Sequence, residues 1–458
     1  MTKEQVIDAI KDILKNTLCI SNIEEFSPSA RLNQDLYLDS VLIMHLILHL
    51  EEALDFDIPD NAITKEDFST VNSLAEFLIK SPKDTLSNQN PISSVNLLLD
   101  QNIEVEEEFE DIKVHCFVSC LCEIIKTDER VDHRPFYFGV WDAEVVIDKD
   151  CSVAYHSENL SHDFFRSWFE KLYNVSVTPW YDPTISKQAN TNRLISLLRN
   201  KPVSRNIMVM LDMFRLPERE NKFNQNPFPH YVLLEETPDP NTWFMRDPDF
   251  RWEGAQKKAQ VLHAIASPHV HGGYYFDSQD IRPTTKKTIR DYFSQCIKPH
   301  ENPMTEAVRQ IINFHLDTTK EEPALTHLAK ALNHLPVLAI RKYAYEHGFA
   351  YFWRELSLED TEFESWCDII EDLVSSYKLI QYRTIKLSKL ELTKELTKDQ
   401  QESLVNEIGE ILDQQDEREF KIKARLQQVY QLWCQKNFSS NVPQNKSKKI
   451  QMQEEVIT

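Results

Sequence analysis

A cysteine side chain is a nucleophile as the thiolate, so a reactive one calls for a helix start, a neighbouring imidazole and a third group that orients the ring. Those parts occur in order along this chain: Cys116 in KVHCFVSCLCEIIK, His230 at the start of HYVLLEE, and Asp247 at the end of TWFMRD. An extended approach ending at His115 leads into a helix whose first turn holds Cys116, and the backbone N–H there is the natural donor to a tetrahedral oxyanion. The two later runs read as strands of a hairpin, which lets an aspartate at the end of one reach a histidine on the other. Asp249, two residues further, competes with Asp247 for that orienting role. A second candidate is Ser40, which follows Asp39 where a loop turns into the helix beginning at Val41. Orphan N–H groups at a helix start favour an anion such as a phosphodiester on that serine, although Asp39 or Ser40 could equally be only an N-cap.

The elements that must position these residues fall into blocks. With 458 residues the chain exceeds one ordinary core, so two to four domains are expected. Residues 1–80 read as a small helical unit, with a stripe of Val6, Ile10, Ile13 and Leu14, a second periodic run from Val41 to Leu54, and short helices near Lys65 and from Ser73 to Lys80. Residues 81–100 read as a linker, beginning SPKDTLSNQNPISSV. From 101 to 298 short β-rich runs (PFYFGVW, EVVID, NIMVML, HYVLLEE, TWFMRD, GGYYF) mix with helices, an α+β pattern. From 299 to 438 every segment carries helical spacing, and its aromatic stripe (Tyr343, Tyr345, Phe349, Tyr351, Phe352, Trp353) is expected to pack on the preceding domain. The polar tail 439–458 is expected to be disordered.

The first block resembles an acyl carrier or peptidyl carrier domain: D-S-V stands at 39–41 for that family's D-S-L, an amphipathic helix follows, and the segment ends LEEALDFDIPD. The resemblance implies a four-helix bundle whose Ser40 carries 4′-phosphopantetheine with an acyl group held as a thioester. The block has 6 basic and 15 acidic side chains, a net charge of −9 that suits docking to basic partner faces. Tyr37 replaces a glycine frequent in that family, and Leu42, Ile43, Met44 and His45 replace its early carboxylates. The middle block resembles the papain-like butirosin biosynthesis protein H family through H-C at 115–116, LDMFRLP at 211–217, H-Y-V-L-L at 230–234 and R-D-P at 246–248. That resemblance implies a Cys116, His230, Asp247 triad moving an acyl group from a carrier thioester to an amine. Glu235 and Glu236 stand where that family's strand commonly runs into glycine.

The expectation is therefore a multidomain protein: an all-α four-helix carrier bundle, an α+β papain-like acyltransferase domain and an all-helical region. Its partners would be a phosphopantetheinyl transferase, an acyl-loading synthetase or ligase and a small amine, in the biosynthesis of a siderophore or antibiotic-like product. A thioesterase or peptidase-like hydrolase, with water as acceptor, uses the same residues, and a catalytically silent docking platform is a third reading. Lys and Arg total 51 against 73 Asp and Glu, a net charge of −22, which argues against nucleic acid. Six glycines, at 139, 254, 272, 273, 348 and 409, leave no place for a P-loop or a dinucleotide fingerprint. No stretch approaches the roughly 20 apolar residues of a membrane span, and the N-terminus, MTKEQVIDAIKD, does not read as a secretory signal, so a cytoplasmic setting with free thiols is expected. The C-x3-C-x-C of Cys116, Cys120 and Cys122 lacks the further ligands a zinc site needs, so Cys120 and Cys122 read as packing. His269 and His271 would share one side of a strand, a polar edge rather than a metal site, and the acidic run 104–111 reads as a solvated face; no metal is expected.

Overall fold

The computed structural model describes residues 2–438 apart from 19, 21, 22, 33, 34, 37, 39–42, 44, 45, 48, 51–53, 55–68, 81–114, 157–159, 217, 218, 220–224, 318–323 and 395. Ser40, the linker, the acidic run 104–111, the helix expected near Lys65 and the tail 439–458 lie outside the described residues.

Helix α1 (Lys3–Asp12) opens with a capping box in which the Thr2 hydroxyl accepts from the Gln5 N–H and Gln5 accepts from the Thr2 N–H. Its apolar stripe, Val6 and Ile10, is buried with Leu14, Leu46, Ile47 and Leu50 and with Leu74 and Leu78 of α2 (Val71–Lys80). Leu38 and Ile43, on either side of Ser40 in the sequence, belong to the same core. That core is separate from the one that runs through the rest of the chain.

The central part begins at α3 (Cys116–Ile125), of which nine residues are buried. A two-stranded ribbon follows, β1 (Val146–Ile147) with β2 (Val153–Ala154). Then come α4 (Asp163–Tyr173), strand β3 (Thr178–Pro179) and α5 (Lys187–Asn200), and the main strands β4 (Arg205–Asp212), β5 (Pro229–Glu236), β6 (Thr242–Asp247) and β7 (Trp252–Lys257). Helix α6 (Lys258–Ile265), β8 (Gly273–Asp277) and α7 (Lys286–Cys296) close the part. Six strands form one antiparallel sheet in the order β3-β8-β4-β5-β6-β7. Interior strand β4 is buried without interruption from Ile207 to Asp212, whereas β6 alternates along its length, as expected for a strand with one face covered. Helix α3 packs on β5, and the Cys120 thiol donates to the Tyr231 carbonyl at 3.4 Å.

Two expectations are corrected here. PFYFGVW is not a strand: residues Arg134–Gly139 form a 3-10 helix. Pro135 at its first turn fixes φ and removes an amide donor, and five successive buried residues leave none of the alternation a half-buried strand needs. His269 and His271 lie in the exposed turn before β8 rather than on a strand.

The C-terminal part is helical: α8 (Pro303–Leu316), several short turns, α9 (Ala344–Leu356), α10 (Asp360–Thr393) and α11 (Lys398–Phe438). The last two are long, and α11 joins two segments that read separately in the sequence. This part shares one continuous core with the sheet. Tyr345 of α9 stacks on Trp141 (centroids 5.0 Å apart, 7° between planes), and His347 stacks on Tyr137 at 3.9 Å. Beside them a buried ion cluster ties Asp142 to Lys342, Glu419 and Lys423, all at most 1% exposed, two charges of each sign.

Candidate active site

His115, in extended conformation, is the N-cap of α3, so Cys116 is the first helical residue. Its sulfur is fully buried: the Tyr155 hydroxyl donates to Sγ at 3.2 Å, and His156 Nε2 stands 3.7 Å away. His230 enters from the start of β5 and Asp247 from the end of the neighbouring strand β6, where a hydrogen bond of 2.8 Å joins Nε2 to Oδ1. Arg219 donates to the other carboxylate oxygen at 3.0 Å, and the Phe250 N–H adds a bond of 3.3 Å to Oδ1. The Phe250 ring stacks flat on the imidazole, 4.9 Å between centroids. With Nε2 committed to Asp247, Nδ1 is the nitrogen left without a hydrogen bond, and Cys116 is among the groups that act on the ring.

Burial alone would push the His230 pKa down, but Asp247 and Cys116 overturn it and hold the ring well above the ordinary histidine value. Burial likewise works to raise Asp247, and His230 with Arg219 brings it below the usual carboxylate range. His156 behaves in the opposite way: burial, then the nearby His162 and Arg341, push it well below the ordinary value, which favours the neutral ring. Two imidazoles thus act on one sulfur, the one on a carboxylate shifted toward its charged form and the other toward its neutral form.

The two aspartates have different partners. Asp247 is on the imidazole, while Asp249 accepts from the Ser119 hydroxyl at 2.9 Å under the start of α3, and burial raises its pKa. Tyr155, His156 and Arg219 were not visible as site residues in the sequence; only the Tyr-His pair at 155–156 hints at chemistry, and nothing in its spacing ties it to Cys116. Tyr155 and His156 also line a cleft of about 790 Å3, walled further by Phe228, Tyr231, His271 and His334. Among the described residues no group of three or more His, Cys, Asp and Glu is arranged to hold a metal ion, and no helix is long and apolar enough to cross a membrane.

Fold and geometry together define a helical carrier unit followed by a sheet domain and a helical region, with Cys116, His230 and Asp247 brought together in the sheet domain. Family models match three stretches of the chain: a phosphopantetheine attachment site over residues 8–78, a DUF6005 N-terminal domain over 111–281 and a DUF6005 C-terminal domain over 287–447. Petrobactin synthase of Bacillus anthracis is 41% identical over 330 residues, covering 72% of this chain and 97% of that protein. The chain belongs to the family of that synthase. The acyl carrier protein AsbD of Bacillus anthracis is 32% identical over 78 residues, 17% of this chain and 86% of that protein. An acyl carrier protein of Desulforapulum autotrophicum is 38% identical over 71 residues, 16% of this chain and 90% of that protein. The N-terminal unit is therefore an acyl carrier domain bearing a covalent 4′-phosphopantetheine, and its described body, a closed apolar core that includes Leu38 and Ile43 on either side of the D-S-V segment, fits that role.

Proposed function

We propose that the chain is a carrier-fused acyltransferase of siderophore biosynthesis, in which Ser40 holds the 4′-phosphopantetheine and Cys116 is the acyl-accepting nucleophile. The attached group supplies an acyl thioester. His230 takes the Cys116 proton; the Cys116 thiolate attacks the donor carbonyl, and His230 returns the proton to the departing pantetheine thiolate. In the second half an amine attacks the Cys116 thioester, His230 takes its proton, and the Cys116 thiolate leaves as the amide forms. Asp247, itself held by Arg219, fixes the imidazole, and the Cys116 backbone N–H at the helix start, with the Tyr155 hydroxyl, faces the oxyanion. The observation that carries this reading is the buried Arg219–Asp247–His230 chain ending beside Cys116 at a helix start.

Other features agree. The order Cys, His, Asp with the cysteine on a helix and the histidine on a strand is that of papain-like enzymes. Two separate Bacillus anthracis proteins match the two parts of this one chain, and tethering them raises the effective concentration of acyl donor beside the site. Glu235 and Glu236, the departure that favours a silent platform, lie away from the chemistry: Glu235 is five residues along β5 from His230, roughly 17 Å at the strand rise, and pairs with Arg246. The cleft is far larger than a water acceptor needs, which favours transfer over hydrolysis. The partners on this reading are a phosphopantetheinyl transferase, a loading synthetase or ligase, and the amine. The test is to load the holoprotein, add amines and follow amide against free acid; Cys116→Ala must abolish both, and undiminished product from that variant would overturn the mechanism.

A further inference from the structure

Next to the cleft lies a second cavity of about 220 Å3, walled by His115, His162, Phe165 and Cys296 and, from the helical region, by Arg341. Leu160 and His162 are walls common to both spaces. Arg341 is 5% exposed. It donates Nη1 to the Glu144 carbonyl at 3.3 Å and lies 5.7 Å from the Tyr155 ring, whose hydroxyl is on Cys116. Its Nε has no partner, and it forms no ion pair among the described residues. The other equally buried basic residues all have carboxylates: Lys342 with Glu419, Arg383 with Glu407 and Lys423 with Asp142. Asp142, which also lines this cavity, is already engaged by Lys342 and Lys423.

Burial disfavours the charge on Arg341, and Tyr155, Cys116 and Asp249 support it without an ion-pair contact; a buried cation with no carboxylate in contact is costly, and such a charge facing a cavity marks a place for a ligand's anion. The remaining wall fits one. His115 Nδ1 and His162 Nε2 are buried and unpartnered. Burial, joined by Arg341, keeps both rings neutral, His162 down to about 4, so each retains one N–H to donate. The carrier's phosphodiester is not the anion meant, because the whole pantetheine arm separates it from the thioester that must reach Cys116.

We propose that this cavity is a carboxylate-recognition subsite, in which Arg341 pairs with a carboxylate on one of the two reactants while His115 and His162 complete the cradle. The proposal rests on Cys116 being the nucleophile, and it gives the helical region a part in substrate selection. A guanidinium suits this task because its fork matches the two carboxylate oxygens.

Alkylation of Cys116 tests it with small reagents, whatever the natural substrate. Full-length protein is treated with N-iodoacetyl-β-alanine or with the corresponding neutral β-alaninamide, and labelling of Cys116 is followed by peptide mass spectrometry. The carboxylated reagent should react at least about tenfold faster, with a saturating rate, the scale of one charge-assisted contact. Arg341→Gln should bring the two reagents within about twofold of each other, and Arg341→Lys should restore part of the preference. Should Arg341→Gln fail to fold, the wild-type protein decides: succinate must slow the carboxylated reagent while succinamide does not. An absent preference, one that survives Arg341→Gln, or no protection by succinate overturns the proposal. A Cys116 inert to both reagents overturns instead the nucleophile reading beneath it. Two arms then locate the carboxylate: Arg341-dependent preference for a succinyl over a butyryl group in acylating Cys116 assigns it to the donor, and preference for β-alanine over propylamine in the release step assigns it to the acceptor. Indifference in both arms also counts against the subsite.

Discussion

Asp247→Asn is the substitution whose consequences the structure fixes most tightly. The carboxylate bonds His230 Nε2 at 2.8 Å and Arg219 at 3.0 Å, and all three side chains are at most 5% exposed. Without it, burial of His230 is opposed by Cys116 alone, so the ring loses its main support as an imidazolium. A hydrogen bond to a charged group is worth about 1.5–3 kcal/mol, so we predict that alkylation of Cys116 near neutral pH slows by about ten- to a hundredfold. Arg219 also loses its carboxylate in the interior, which should cost about 3–5 kcal/mol of stability. The double variant Arg219→Met/Asp247→Asn separates the two effects: it should recover much of the stability while the alkylation rate stays low. Peptide-resolved labelling with iodoacetamide, beside urea unfolding, reads both quantities. A folded Asp247→Asn protein whose Cys116 labels within about twofold of wild type would refute the assignment of His230 as activator.

Other expectations follow from the same geometry. Tyr155→Phe removes the hydroxyl on Cys116 Sγ and should slow acyl uptake by Cys116 about tenfold in quenched-flow mass spectrometry; an unchanged rate would mean that the contact is packing only. Lys423→Met strips Asp142 and Glu419 of a buried counter-charge and should lower the urea stability of the sheet and helical parts by about 3–5 kcal/mol, whereas the carrier, with its own core, should be unaffected; a loss below about 1 kcal/mol would contradict the cluster's role. His162, held to about 4, binds its proton later in the folded than in the unfolded state. Its contribution is therefore complete above about pH 6.5 and is lost as pH falls toward 4, roughly 2 kcal/mol between pH 7 and pH 5. His115 and His156, also lowered, act in the same direction, while His230, raised, contributes stability at low pH that fades as pH climbs through its folded value. The urea midpoint should fall between pH 7 and pH 5, and a constant or rising midpoint would count against neutral buried histidines.

What the sequence disclosed follows the range of the interactions involved. The helix start at His115–Cys116 and the strands of His230 and Asp247 were legible because local periodicity and a hairpin set them. PFYFGVW misled because aromatic residues suit both a strand and a fully buried turn, and Pro135 decided the matter. The distinction between Asp247 and Asp249 required the 3-10 turn Pro248–Phe250, which carries Asp249 beneath Ser119 instead of toward the ring. Tyr155, His156 and Arg341 reach the site from segments some 40 to more than 200 residues away from Cys116, and no local pattern encodes that convergence.

The central claim is that an acyl group passes from the carrier serine to Cys116. Peptide-level mass spectrometry, after conversion to the holo form with a broad-specificity phosphopantetheinyl transferase and a simple acyl-coenzyme A, shows where the acyl mass resides over time. The account predicts acyl-phosphopantetheine on the Ser40 peptide and a transient acyl adduct on the Cys116 peptide that an added amine discharges. Loading of Ser40 with no acyl mass ever reaching Cys116 would contradict it.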